Sequence, residues 1–329
     1  MKKFFLLLFV LFLPLYFYAK DFNTYSNTSP HDFKAFTGFE KLFGYTLYGV
    51  GVNESGAFYM ISQLKFPLDT YLLKIGFEYI YSETYQINFV IKRNFIPYAG
   101  KMEDSDWGYW YMQGYPWAYF DTLDIFSTSD ASLSYFFLGA DFIYRIKIFS
   151  PFIFGFGLSF FSELFYYEIS NVDQYYPSYN LYKDYLDPAT YSGHIIVSGK
   201  VMTYELRRFL PYINIFAKYN MDNMDFQLKG YFSPFSFSFD RDDHILRSKE
   251  AISSSSGFSF LIDFAFSYYF TKNLFASLTS TFFYVQEYGT QTQYRYKETE
   301  EGSIGRIGSI DYVSQGLEYS FGFNFGYHF

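Results

Sequence analysis

The last stretch of the chain alternates residue by residue. Leu317, Tyr319, Phe321, Phe323, Phe325, Tyr327 and Phe329 share one parity, while Glu318, Ser320, Gly322, Asn324, Gly326 and His328 share the other. A period of two puts every large apolar group on one face of a β-strand and the small or polar groups on the opposite face. Phe258, Phe260, Ile262, Phe264, Phe266, Tyr268 and Phe270 repeat the pattern against Ser259, Asp263, Ala265 and Ser267. Strands are expected over residues 34–51, 57–81, 87–97, 131–147, 151–170, 193–220, 225–240, 256–270, 273–289 and 312–329. The fold class this predicts is all-β: a single antiparallel transmembrane β-barrel of about ten strands, with lipid receiving the aromatic face. Several strands exceed the roughly 9–11 residues that cross a bilayer, so a collar above the membrane is expected.

The connections fall into two kinds. Short ones lie near 83–86, 149–151, 222–225 and 271–273; long polar ones lie near 98–130, 171–192, 241–255 and 290–309, with a shorter polar one near 52–56. Short periplasmic turns alternating with long extracellular loops is the connectivity of an outer-membrane barrel. In the seventh strand the apolar parity switches from Phe226 and Leu228 to Phe235, Phe237 and Phe239. The switch falls at Ser233–Pro234, where a β-bulge would shift the register by one residue.

The N-terminus supports export. Met1-Lys2-Lys3 precedes an apolar run from Phe4 to Tyr18, as in a secretory signal peptide, and cleavage is expected after Ala19. The run is shorter than the ~20 residues of a membrane-spanning helix, which argues against an uncleaved anchor. The domain reading is a signal peptide over 1–19, an N-terminal periplasmic segment over 20–33 and one barrel over 34–329. Aromatic residues make up 26% of the chain; base-composition bias could inflate that figure but could not produce alternation. With no cysteine, disulfides, lipid attachment and thiolate metal sites are excluded. A net charge of −8, more negative once Lys2 and Lys3 are removed, argues against a nucleic-acid partner.

Counted from a periplasmic N-terminus, the segments after the third and seventh strands are both extracellular, and both carry candidate chemistry. One reads Gly100-Lys101-Met102-Glu103-Asp104-Ser105-Asp106-Trp107; the other reads Asp240-Arg241-Asp242-Asp243-His244. Past the bulge, parity puts Ser236, Ser238, Asp240, Asp242 and His244 on the lumen face. Asp104 and Asp106 share a face if their segment is extended. An imidazole beside a carboxylate is held in one tautomer and can take a proton from water near neutral pH. Two adjacent carboxylates cannot both ionise cheaply, so the pair retains a proton. Each signal alone has a plainer reading: an Asp-x-Asp is most often solvated charge, a His beside aspartates a surface salt link, and Trp107 an interfacial anchor. The acidic spacing fits no Ca²⁺ loop of the EF-hand type, and no metal site is expected. His31, His194 and His328 are isolated in sequence.

Taken jointly and in order, these clusters resemble the omptin family of outer-membrane aspartyl endopeptidases. The pattern of a Met followed by Asp-x-Asp-Trp, then Asp-x-Asp-x-His, is met here by Met102, Asp104, Asp106 and Trp107, then Asp240, Asp242 and His244. Ser62-Gln63-Leu64, the run Arg208-Phe209-Leu210-Pro211-Tyr212-Ile213, and Gly289-Thr290-Gln291-Thr292 extend the likeness over most of the mature chain. The resemblance implies that Asp242–His244 and Asp104–Asp106 are two catalytic couples, with the attacking water between His244 and Asp104. Asp240 and Met102 would line the pocket for a basic residue before the scissile bond. It also implies a peptide or protein substrate, no cofactor, lipopolysaccharide as activator and lipid contact, and a monomer in the outer membrane with its site facing outward. One departure stands out: the family's second pocket carboxylate falls at Tyr48, and Glu54 is the nearest acidic alternative. A basic-residue preference should accordingly be weaker and broader. The alternative from another class is a non-enzymatic barrel, either a narrow channel or an adhesin; about ten strands leave a lumen largely filled by side chains, which disfavours a wide pore.

Overall fold

The computed structural model describes residues 31–115, 118–149, 151–185, 193–299 and 302–329; the expected leader over 1–19 and most of the 20–33 segment lie outside them. Twelve strands run in chain order: β1 (His31–Glu54), β2 (Ala57–Pro67), β3 (Thr70–Tyr81), β4 (Tyr85–Asn94), β5 (Tyr98–Trp107), β6 (Leu123–Phe149), β7 (Phe152–Tyr175), β8 (His194–Met221), β9 (Met224–His244), β10 (Lys249–Tyr269), β11 (Leu274–Arg295) and β12 (Gly305–His328). All pairings are antiparallel, and the β1–β12 pairing from Lys34↔His328 to Gly51↔Asp311 closes the sheet into a barrel.

The ten expected staves are present, two of them interrupted. β2 and β3 form one stave broken at Leu68–Asp69, and β4 and β5 form another broken between Asn94 and Tyr98. Pro67 and Pro97 stand at the two breaks; each lacks the N–H that a continuous ladder needs. The segments donate elsewhere, Leu68 N–H to Gly44 O at 3.1 Å and Asp69 N–H to Ala99 O at 3.2 Å. Gly44 sits in the positive-φ region at +128°, where a Cβ would meet the Leu317 carbonyl oxygen at 2.0 Å, so the kink needs glycine.

Much of what reads as long polar loop is strand. β9 and β10 continue to His244 and from Lys249, joined by a single 3₁₀ turn over Ile245–Arg247; β5 and the start of β6 occupy residues expected to be loop. The outer face of β9 is apolar through Phe235, Phe237 and Phe239. Arg207 and Arg241 then project outward beside Phe239 and past it, with side chains 60% and 63% exposed, and mark where the apolar band ends. The strand ends beyond them form a collar.

The lumen is crossed by buried ion pairs, which border a cavity of about 160 Å³ lined in part by Lys74, Asp141, Lys229 and Asp263. From the short-turn rim upward, Lys34 meets Glu78 at 3.1 Å, Lys218 meets Asp225 at 2.8 Å, and Lys229 meets Asp141 at 2.9 Å. Glu40 lies 2.7 Å from Lys92 and 3.7 Å from Lys74. Arg208, with no solvent exposure, reaches Glu318 at 3.3 Å, Glu163 at 3.7 Å and Thr46 at 3.2 Å. Above it comes a layer of rings, Tyr48, Phe66, Tyr167, Tyr204 and Tyr312, each 2% exposed or less. This layer is the floor of the collar.

Candidate functional site

The β9 arm of the site depends on the bulge. Ser233 pairs with Ser259 and Ser236 with Gly257, so two residues, Pro234 and Phe235, oppose the single Phe258. On the other side Phe232 pairs with Ile213 and Phe237 with Phe209, leaving four residues against three. One extra residue turns every later side chain over. Asp240 and Asp242 therefore face the lumen, 4% and 0% exposed, while Phe237 and Phe239 face out at 44% and 53%. Without it, both carboxylates would point at the membrane side.

The second arm is β5. Tyr48 pairs with Leu64, Leu64 with Asp104, and Asp104 with Ser127, and residues paired across a sheet share a face. Tyr48 and Leu64 are buried in the lumen, so Asp104 points there too, along with Met102 and Asp106 at the same parity. The intervening Glu103 faces away and pairs with Lys65 at 3.1 Å. Met102 is 3% exposed, one step below Asp104 in the packed core.

At the tip of β9, His244 Nε2 lies 3.0 Å from Asp242 Oδ2. The same oxygen accepts a hydrogen bond from the Tyr48 hydroxyl, which reaches across the lumen from β1. One step lower, Asp240 Oδ2 accepts from the Tyr312 hydroxyl of β12. Asp106 is hydrogen-bonded to Ser62, its cross-strand partner. The Oδ1 atoms of Asp104, Asp240 and Asp242 are shut off from solvent and take no hydrogen bond among the described residues.

Electrostatics tie the two arms together. Burial, followed by the charges of Asp106 and Asp242, pushes the Asp104 carboxyl well above the usual carboxylate range. Burial also raises Asp106, against the opposing pull of its Ser62 hydrogen bond and of Arg247, His244 and Lys249. Asp104 on β5 thus feels Asp242 on β9, and Asp106 feels His244. Asp240 is raised to about 7, chiefly by burial and against its hydrogen bonds from Tyr312 and Ser253. Chemically, the collar holds an imidazole on a carboxylate, within electrostatic reach of two carboxyls whose ionisation burial opposes.

All four sequence-predicted catalytic candidates meet in this collar, and Asp240 and Met102 lie directly beneath. Glu54 does not: it is exposed at the β1–β2 turn, opposite Ala57. His194 pairs with Asp173 at 2.5 Å and His328 with Asp32 at 2.6 Å, both away from the cluster. Three partners escaped the sequence reading: Tyr48, Tyr312 and Ser62. Their strand parity places them on the lumen face, but no linear pattern says which carboxylate each would meet. Among the described residues no group of three or more His, Asp or Glu is arranged to hold a metal ion.

No family model and no curated protein sequence matches the chain. Among solved structures, the outer membrane protease OmpT from Escherichia coli is similar at a TM-score of 0.75 and 15% identity, covering 93% of this chain and 99% of that one. The outer membrane protein OprG from Pseudomonas aeruginosa follows at a TM-score of 0.36 and 9% identity, over 91% of this chain and 95% of its own. The toluene transporter TodX from P. putida reaches 0.31 and 7%, over 92% and 91%. Likeness at such identities speaks for architecture alone, and the architecture is that of an outer-membrane β-barrel.

Proposed function

We propose that the chain is an outer-membrane endopeptidase that hydrolyses extracellular peptides or proteins with water activated between Asp242–His244 and Asp104–Asp106. The observation that carries this reading is the cluster itself: an imidazole 3.0 Å from a buried carboxylate, within electrostatic reach of two buried carboxyls, of which Asp106 raises Asp104. With Nε2 on Asp242, Nδ1 is the nitrogen that takes a proton from water. The water oxygen bonds to the scissile carbonyl carbon as the proton moves to His244, and Asp104, retaining its proton, hydrogen-bonds to the developing oxyanion. The C–N bond then breaks, and the departing amine takes the proton from the imidazolium. Water is consumed, and an acid and an amine are released.

The collar faces the cell exterior in this reading, with lipopolysaccharide as activating lipid and the monomer as the working unit. Cleavage next to basic residues rests on Asp240 alone, since Tyr48 stands where a second carboxylate would be. Asp240 is 4% exposed beneath Tyr312, which suits a weak, broad preference. The channel alternative is disfavoured by the fully buried Arg208 and the ring layer across the lumen.

The test is cleavage of an internally quenched Arg-containing peptide by protein refolded with lipopolysaccharide. Wild type should turn over, unaffected by metal chelators, and His244→Ala should lose about 10²- to 10⁴-fold in kcat while keeping the heat-modifiable gel mobility of a folded barrel. Equal inactivity of the two proteins refutes the reading.

A further inference from the structure

We propose that Tyr48 is a positioning residue for the Asp242–His244 couple, holding the carboxylate oxygen against which the imidazole is set. The inference rests on the hydrolase reading and adds to it a residue from the opposite wall of the barrel.

The geometry is specific. Tyr48 comes from β1 and Asp242 from β9, on opposite sides of the ring of strands. The phenol donates to Asp242 Oδ2, the same atom that lies 3.0 Å from His244 Nε2. A carboxylate oxygen has two lone pairs and can serve both donors. Asp242 Oδ1 takes no hydrogen bond among the described residues, so both recorded side-chain anchors act on one oxygen. The phenol is itself immobilised. Its ring is 2% exposed and packs against Tyr204 at 5.3 Å, Tyr312 at 5.7 Å and Phe66 at 6.1 Å between centroids. A donor fixed by packing fixes its acceptor in turn, and a carboxylate that cannot rotate holds the imidazole in one orientation.

Tyr48→Phe tests this in refolded full-length protein with the internally quenched Arg peptide. Losing a hydrogen bond to a charged group should lower kcat about 10- to 100-fold and leave KM nearly unchanged. In an Asp242→Asn background the same change should add little, because the partner it holds is already altered. Replacing Tyr48 with 4-aminophenylalanine, which keeps the ring and an N–H donor, should restore kcat, and it serves as the test if Tyr48→Phe does not fold. An unchanged kcat in active Tyr48→Phe, an equal loss in both backgrounds, or no rescue by the amino analogue overturns the proposal. Inactive wild type would instead refute the hydrolase reading.

Discussion

The lumen and the collar treat charge in opposite ways. Down the lumen most carboxylates are set against a cation: Glu78 on Lys34, Asp225 on Lys218, Asp141 on Lys229, Glu40 between Lys92 and Lys74, and Glu163 and Glu318 around Arg208, while Glu287 takes a hydrogen bond from Ser238 and Asp263 one from Thr281. In the collar, Asp104 faces Asp106 and Asp242, and each raises its cost of ionisation. Pairing is what a structural interior needs, because an unpaired buried charge is expensive. Like charges gathered at one rim do nothing for the fold. The difference separates what holds the barrel together from what the barrel is for.

Substitutions on the two sides should therefore part company. Asp104→Asn should cost about 10²- to 10⁴-fold in turnover while the temperature at which the barrel loses its folded gel mobility stays level or rises, since a repulsion is relieved. Arg208→Ala should do the reverse to stability: two buried glutamates lose their cation, at about 3–5 kcal/mol, and the same melting readout should fall. If Asp104→Asn destabilises as much as Arg208→Ala, the collar carboxylates are structural and the contrast collapses.

A smaller effect sharpens the reading of Asp240. Burial raises it to about 7, so it is largely neutral in acid and charged in mild base. Around it stand Tyr312 of β12, Ser253 of β10, Asp242 of its own strand and Glu287 of β11, with Tyr48 and Tyr204 from β1 and β8. An attraction for a cationic side chain is absent below that pH and present above it. The ratio of kcat/KM for an Arg peptide over its citrulline counterpart should climb, by about tenfold or less, as pH rises through 7. A ratio flat with pH would remove Asp240 from substrate selection.

The architecture was legible wherever one strand face met lipid. Alternation located ten staves, and the parity switch near Pro234 located the bulge that aims Asp240 and Asp242 inward. The pattern failed above the membrane, for a physical reason. There both faces of a strand border water or a polar cleft, so the period-two signal fades, and β5 and the tips of β9 and β10 read as loop. The catalytic candidates were legible through resemblance and parity. The tyrosines were not. Tyr48 read only as a missing carboxylate, whereas in the fold its hydroxyl crosses the lumen to Asp242, a contact that sequence distance hides.

The central claim is that the tips of β5 and β9 present their polar groups to one another across a single cleft. Because the chain contains no cysteine, Asp104→Cys and His244→Cys can be combined with no competing thiol, and the folded protein treated with a short bifunctional maleimide. The account predicts an intramolecular cross-link that keeps the two tips joined after proteolysis between them, and none when Cys replaces the outward-facing Glu103 instead of Asp104. No cross-link from the first pair, or equal cross-linking from both, would contradict it.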